Sequence, residues 1–236
     1  MIRVYGIEES VLWDDIVRGF AQYDVYYLSG YVKAFQIHGD GYPQLLYYEA
    51  DGLKAIYVFM KRETAIDGYF DSVTPYGYGG VLFEGDVSED NLRVFWNAYV
   101  GMMKEIGVVD NFVRYHPLLA NAHIMKCVSN VTDLGKTVAI DISSPEVIWK
   151  NLTSKNRNMI RKAEKNGIEI RHGKDFALFN DFMRIYNATM EKDHAEDYYF
   201  FGNAERLKVY HHHFVADILG KVFCKSSLGS TEIICA

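Results

Sequence analysis

The chain has 236 residues, a length that allows one large domain or two small ones. With 49% hydrophobic and 24% charged residues its composition is ordinary for a soluble globular protein, and no run approaches the roughly 18–20 apolar residues that span a bilayer. The amino-terminal sequence lacks the apolar stretch of a signal peptide, and Cys127, Cys224 and Cys235 lack a metal-type spacing. We therefore expect a cytoplasmic protein with no metal centre.

Hydrophobic periodicity predicts alternating strands and helices in the first half of the chain. We expect strands at 2–5, 44–49, 53–61, 69–74, 111–116, 126–131 and 137–141. We expect helices at 10–20, 31–37 and 88–106. Ala50-Asp51-Gly52 suits a tight hairpin turn between two strands, while Ser88 and Gly107 suit the two ends of the longest helix.

The second half is predicted to begin at Ser143-Ser144-Pro145 with a short helix that contains Trp149. A cationic helix should follow from about Asn156, capped by Ser154 and ended by Asn166-Gly167. Further helices are expected at 175–190 and 204–219, and strands at 168–171, 221–225 and 231–236. Interleaved strands and helices with adjacent hairpins indicate an α/β (α+β) layer fold with a mixed sheet.

The cationic helix is the most informative segment of the sequence. Residues 150–174 contain eight Lys and Arg against two acidic residues, although the whole chain has a net charge of −6. Arg157, Arg161 and Lys165 recur at helical spacing, with Lys162 beside them. A guanidinium binds phosphate through two hydrogen bonds, so this face suits an anionic ligand. The spacing alone is equally compatible with a solvated helix face.

Several motifs resemble one family when they are taken in chain order. Trp149 with Arg157-Asn158-Met159-Ile160-Arg161-Lys162-Ala163, then Gly167 and a predicted strand, resembles the second half of the FemAB-like aminoacyltransferase/acyltransferase family. Thr74–Gly80 and Arg114–Leu119 resemble the first half of its GNAT-like relatives. The pattern continues through 185–190, Ala195 and 198–200. The resemblance covers about residues 65–201.

The resemblance implies two tandem GNAT-like domains, residues 1–142 and 143–236, with an acceptor groove between them. Members of the family attach an amino acid or acyl group to an amine, and the best-known ones transfer from aminoacyl-tRNA to a peptidoglycan precursor in the cytoplasm. No cofactor is implied, because the donor is either aminoacyl-tRNA or acyl-CoA. Relatives continue beyond position 236, so the second domain is expected to be truncated. Its last strand would then offer an open edge through which a dimer could form.

The same resemblance implies where the ligand phosphates would bind. Arg157, Arg161 and Lys162 are the candidates for holding a nucleotide diphosphate or tRNA phosphates. Lys33, in the second predicted helix, is a candidate from the first half. The catalytic base is not assigned.

The segment after the strand at 69–74 interleaves aromatic residues with glycines. Glycine permits close backbone approach, so this loop suits a ligand pocket with exposed amides and a stacking tyrosine, although an ordinary turn is the competing interpretation. Its place in the family pattern favours the pocket. The predicted pocket residues are Tyr76, Gly77, Tyr78, Gly79, Gly80 and His116. The histidine fits a core or turn position better than a catalytic base.

Two other functions remain open at this stage. The string Gln36-Ile37-His38-Gly39-Asp40-Gly41 fits the pyrophosphate loop of acyl-CoA N-acetyltransferases, but a strand is predicted after it, where that loop needs a helix. The chain could also be a non-catalytic, truncated binding module. His211-His212-His213, together with the acidic residues around His194, is expected to be a solvated surface, because consecutive helical side chains diverge.

Overall fold

A computed structural model describes residues 1–170 and 176–200 of the chain. Contacts among these residues divide them into two units, 1–133 and 134–200. The domain boundary predicted at 142/143, and the tandem GNAT-like arrangement, stay predictions. In the described part of the chain, none of the helices is both long enough and apolar enough to cross a membrane.

The first unit is built on a mixed sheet that has six strands within the described residues. The strands are β1 (Ile2–Gly6), β2 (Tyr42–Ala50), β3 (Leu53–Glu63), β4 (Phe70–Val73), β5 (Leu82–Gly85) and β6 (Val108–Phe112). Their order is β1-β2-β3-β4-β6, and β5 pairs with the first residues of β3 while β4 pairs with its last. All pairs are antiparallel except β4 with β6, which is parallel. The predicted α/β class with a mixed sheet is confirmed.

The hairpin between β2 and β3 forms as the sequence predicts. Ala50 pairs with Leu53, so only Asp51 and Gly52 form the loop. Both have positive φ, at 49° and 78°, as a two-residue loop matched to the strand twist requires.

Helices cover both faces of this sheet. They are α1 (Ser10–Arg18), α2 (Ser29–His38), α3 (Glu89–Glu105) and the short α4 (Asn121–Met125). Successive residues of β3 point to opposite faces, so Val58 joins a core with α1 and α2 while Tyr57 and Phe59 join a core with α3. Burial on both faces explains why β3 reads as a continuous apolar run.

Three strand predictions are wrong. Residues 126–142 form turns and irregular chain instead of two strands, because 126–129 continue α4 through hydrogen bonds back to His123 and Met125. The apolar residues of 137–141 lie exposed instead of pairing, with Val138 93% exposed. Residues 168–170 are likewise not in a strand. The sequence analysis also missed β5, whose four residues are too few to show a period.

Other boundaries shift without changing the element. The strand predicted at 111–116 is β6, which starts at Val108, and its continuation forms a single bridge between Gly79 and Tyr115. The helix predicted at 88–106 is α3, and the one at 31–37 is α2, which begins at Ser29.

The second unit contains three helices within its described residues. They are α5 (Pro145–Asn151), α6 (Ser154–Lys165) and α7 (Phe176–Lys192). Ser144 caps α5, while Thr153 caps α6 by accepting from the Asn156 N–H at 3.2 Å, one residue earlier than predicted. The predicted elements at 204–219, 221–225 and 231–236, the open strand edge and His211 to His213 lie outside the described residues.

The core beneath α3 gives the first testable prediction. Phe95 is fully buried and packs edge-to-face on Tyr48 and Phe83. We expect Phe95→Ala to lower the free energy of unfolding by about 3–5 kcal/mol in urea denaturation, because it removes apolar contact and leaves a cavity. Val94→Ala on the exposed side of the same helix is the control, with a change below about 0.5 kcal/mol. Equal effects of the two substitutions would contradict this core.

Candidate functional site

Arg157 ties the first turn of α6 to the end of α5. Its guanidinium donates to the carbonyl oxygen of Trp149 at 3.2 Å, to that of Leu152, and to Ser154 Oγ at 3.3 Å. The last carbonyls of a helix lack partners within the helix, so a cation placed there stabilises its end. Arg157 therefore has a structural task that the sequence analysis did not foresee, and these contacts use only part of its five donors.

Arg161 lies against an aromatic ring at the surface. Its guanidinium carbon is 5.1 Å from the centre of the Trp149 ring, and it donates to Asn158 Oδ1 at 3.2 Å. The indole is 37% exposed, so this cation–π pair is accessible to solvent. Beside it, the exposed Lys162 and Lys165 have no ion-pair partner among the described residues. The α6 surface thus carries positive charge that acidic side chains of the described chain do not neutralise.

Lys33, the remaining predicted phosphate ligand, belongs to the first unit. It lies on α2, half-buried, and its ammonium donates to Gln36 Oε1 at 2.9 Å. This one contact leaves most of the donor capacity of the ammonium unused.

The glycine-rich loop at residues 75–80 closely approaches two aromatic rings. Gly77 has φ 105°, and a Cβ atom there would collide with the Tyr26 ring. Gly80 has φ 97°, and a Cβ atom would lie 2.6 Å from the ring of Tyr115. Both positions therefore require glycine for its backbone conformation and for space.

Backbone and side-chain hydrogen bonds fasten Gly79. Its N–H donates to the Arg114 carbonyl at 2.8 Å, and its own carbonyl accepts from the His116 N–H at 3.0 Å and from Asn121 Nδ2 at 2.8 Å. The Gly79 amide is consequently not one of the exposed donors that the sequence analysis expected a ligand to meet.

Two tyrosine hydroxyls secure the rest of the loop. Tyr27 donates to the Gly80 carbonyl at 3.0 Å, and Tyr31 donates to the Tyr76 carbonyl at 2.6 Å. Burial, and then the negative charge of Asp24, raise the pKa of Tyr27 far above its usual value. Its phenol therefore stays a donor throughout the physiological pH range. These hydrogen bonds from tyrosines of the first unit fix the backbone of the loop.

Both ring nitrogens of His116 are engaged. The buried ring donates from Nε2 to Asp24 Oδ2 at 3.0 Å, while its Nδ1 accepts from the Leu118 N–H at 3.2 Å. Because an N–H points at Nδ1, that nitrogen carries no proton, and the ring is the neutral Nε2–H tautomer. No lone pair remains to abstract a proton from a substrate, which agrees with its interpretation as a turn histidine.

Two tyrosine rings lie close to His116, the residue that is hydrogen-bonded to the Asp24 carboxylate. The ring centres of Tyr26 and Tyr78 are 6.0 Å apart, and each lies 5.8–5.9 Å from the centre of the His116 ring. Burial raises the pKa of Tyr26, and the proximity of Asp24, Tyr78 and Tyr76 raises it further. The loop therefore presents electron-rich oxygens and ring faces beside a carboxylate.

Asp24, Tyr26 and Asn121 were not among the predicted site residues. Asp24 is 92 residues from His116 in the chain, and Asn121 is 42 residues from Gly79. No local pattern in a single sequence links such distant positions. The one hint in the sequence was the doublet Tyr26-Tyr27, since adjacent aromatic residues just before a helix are expected to pack against neighbouring elements.

The loop at residues 36–41 does not bind phosphate in the manner of an acyl-CoA site. Gly39 ends α2 with φ 103°, and β2 starts at Tyr42, so no helix follows the loop. The prediction that a strand follows this string is confirmed, and the free amides of a helix N-terminus are missing there.

A surface cleft of about 380 Å³ lies beside this loop, and its walls include Lys61 and Phe70. The Lys61 ammonium donates to the Ile106 carbonyl at 2.7 Å and lies 3.7 Å above the Phe70 ring. Among the described residues, no group of three His, Cys, Asp or Glu side chains is placed to hold a metal ion.

Comparison with known proteins gives one match. Residues 133–210 match the model of the FemAB family. The resemblance drawn from Trp149 and the Arg157 motif is thus confirmed, and α5, α6 and α7 all lie within the FemAB segment. The FemAB match suggests a transferase-like function in cell-wall synthesis. No curated protein and no solved structure matches the chain significantly.

The second prediction concerns the side chain that holds the Gly79 carbonyl. We expect Asn121→Ala to lower the free energy of unfolding by about 1–3 kcal/mol, because buried oxygens of Gly79 and Tyr27 lose a donor. Urea denaturation measures the change. The control is Asn97→Ala, an exposed amide on α3, which should cause no loss. If both variants keep full stability, Asn121 does not fasten the loop.

Proposed function

We propose that this protein transfers an aminoacyl or acyl group to an amine of an anionic acceptor, such as a nucleotide-linked peptidoglycan precursor. The observation that carries the proposal is the FemAB segment, residues 133–210, together with the uncompensated cations of α6 that lie inside it. The proposed acceptor is made in the cytoplasm, which is where we expect this protein to act.

The reaction needs no covalent enzyme intermediate. The acceptor amine, in its neutral form, attacks the ester carbonyl of aminoacyl-tRNA. A C–N bond forms, the ester C–O bond breaks, the amine nitrogen loses one proton and the leaving hydroxyl of the tRNA gains one. Since both reactants are large and charged, holding them in the correct orientation contributes much of the rate.

In this proposal α6 supplies the phosphate contacts. Arg161 and Lys162 are exposed, and Arg157 keeps donors beyond those that cap α5. Hydrogen bonds from cationic side chains to phosphate are short and strong compared with neutral ones. Lys33 is proposed as a further phosphate contact from the first unit. This role for α6 is compatible with the cation–π contact between Arg161 and Trp149, because that contact leaves the guanidinium donors available.

We propose that the loop at residues 75–80 contributes the pocket in the first unit. The half-exposed Tyr76 ring stacks on Phe35, with centres 5.6 Å apart, and Tyr78 lies in the three-ring group with His116. Such rings offer apolar faces and polar hydroxyls to a peptide-like acceptor. In this role His116 positions Asp24 and does not touch the substrate.

Acyl-CoA is the less favoured donor. The only string that resembled its pyrophosphate loop leads into β2, as described above, so no element of the first unit is prepared for that group. The two alternatives are an acyl-CoA-dependent N-acetyltransferase and a binding module without activity, and the transfer assay described next distinguishes both from the proposal.

The third prediction is the assay of transfer itself. The full chain is incubated with tRNA charged with radiolabelled amino acids and with UDP-linked muropeptide, and amide-linked product is counted. We expect product with the unmodified chain, and a loss of about tenfold in acceptor affinity for Arg161→Glu and for Lys162→Glu, because each replaces a phosphate-binding cation by a repelling anion. Thermal denaturation of each variant shows whether its fold is retained.

Lys104→Glu is the matched control, because it makes the same charge change on the exposed part of α3. It should leave transfer unchanged. Transfer from acetyl-CoA but not from aminoacyl-tRNA would replace the proposal by the N-acetyltransferase. No transfer from either donor would leave only the binding module.

A further inference from the structure

Asp24 is a partly exposed carboxylate without a cationic partner in the described part of the chain. One of its oxygens accepts from the Val25 N–H and the other from His116 Nε2, while its side chain remains 37% exposed. Asp14 of the same unit differs, since it pairs with Arg18 at 2.7 Å and its charge is compensated.

The neutral state of His116 leaves that charge uncompensated. If the ring carried a second proton, its Nδ1–H would point at the Leu118 N–H, which already donates to that nitrogen at 3.2 Å. Two donors cannot face each other at that distance without repulsion. His116 therefore orients Asp24 through a hydrogen bond and does not neutralise it.

The surroundings of Asp24 add to the negative potential. The faces of the Tyr26 and Tyr78 rings carry the negative part of the aromatic quadrupole. The Tyr26 phenol oxygen can accept a hydrogen bond from a bound cation. A cation close to these rings gains attraction from ring faces and from the carboxylate together.

The chemistry of Asp24, Tyr26 and Tyr78 favours an organic cation over a metal ion as their ligand. Divalent metals need several oxygen ligands from carboxylates and carbonyls. Here a carboxylate accompanies aromatic rings, which is the combination that recognises ammonium groups. Asp24 is hydrogen-bonded to His116, whose ring centre lies 5.8–5.9 Å from those of Tyr26 and Tyr78. The ring of Tyr26 is held in place because Gly77 leaves no Cβ atom to displace it.

We propose that Asp24, with the ring faces of Tyr26 and Tyr78, binds an alkylammonium group. If the proposed function holds, this group is the protonated acceptor amine, which binds here before it loses its proton. The ammonium binding itself is independent of the transfer reaction and is measured without a donor.

The test uses Nα-acetyl-L-lysine methylamide as the alkylammonium probe and its Nε-acetylated counterpart as the neutral one. Titration of the full chain is followed by NMR of the tyrosine rings. We expect the charged probe to shift the Tyr26 and Tyr78 ring signals and the neutral probe not to do so. Equal shifts from both probes, or none from either, would overturn the inference.

Two substitutions separate the contributions of charge and ring. Tyr78→Leu removes a ring face, and Asp24→Asn removes the charge with little change of shape. Each should raise the dissociation constant of the charged probe by about tenfold. Tyr69→Leu is the control, an exposed tyrosine of the same unit outside the ring group, and should change nothing. Thermal denaturation shows whether each variant keeps its fold, and unchanged affinity in both folded variants would refute the site.

The two proposals fail in different ways. Lys162→Glu should lower transfer without affecting binding of the probe. Intact probe binding with no transfer from aminoacyl-tRNA would overturn the proposed function and leave the ammonium site standing. Intact transfer by an enzyme that does not bind the probe would overturn the ammonium site alone.

Discussion

The hydrogen bonds at Gly79 are the interaction on which the candidate pocket depends. Its N–H and C=O pair with Arg114 and His116, and Asn121 adds a donor from α4. These bonds extend the parallel pairing of β4 with β6 into a segment that would otherwise be a loose connection. Because the backbone at Gly79 is hydrogen-bonded through both its N–H and its C=O, the direction of the neighbouring side chains is fixed. The same pairing places His116 where its ring donates to Asp24.

The two units carry opposite kinds of charge at their candidate sites. The α6 surface has cations without acidic partners among the described residues, and Asp24 has no cation beside it. The α6 cations lie at the surface, so their attraction to phosphate weakens with salt.

The sequence predicted those features that depend on local periodicity or turn chemistry. The β2–β3 hairpin, the long helix α3 and the cationic helix α6 follow from patterns within a few residues. The pairing of β4 with β6 and the contacts of Asn121 join distant positions, and no local pattern encodes them. The wrong strands at 126–131 and 137–141 show the opposite error, since alternating apolar residues lie there without a neighbouring strand. Arg157 was predicted as a phosphate ligand from its charge and spacing, and its bonds to α5 carbonyls could not be read from either.

The most direct measurement of this account is hydrogen exchange at individual backbone amides of the first unit. The account predicts that the Gly79 and His116 amides exchange as slowly as amides within the β3–β4 pairing, because all of them donate to backbone carbonyls of a paired segment. Exchange as fast as that of Asp67 and Gly68, which lie in an exposed turn, would contradict it. In that case the loop would not be a preformed surface, and neither the pocket nor the ammonium site could rest on its geometry.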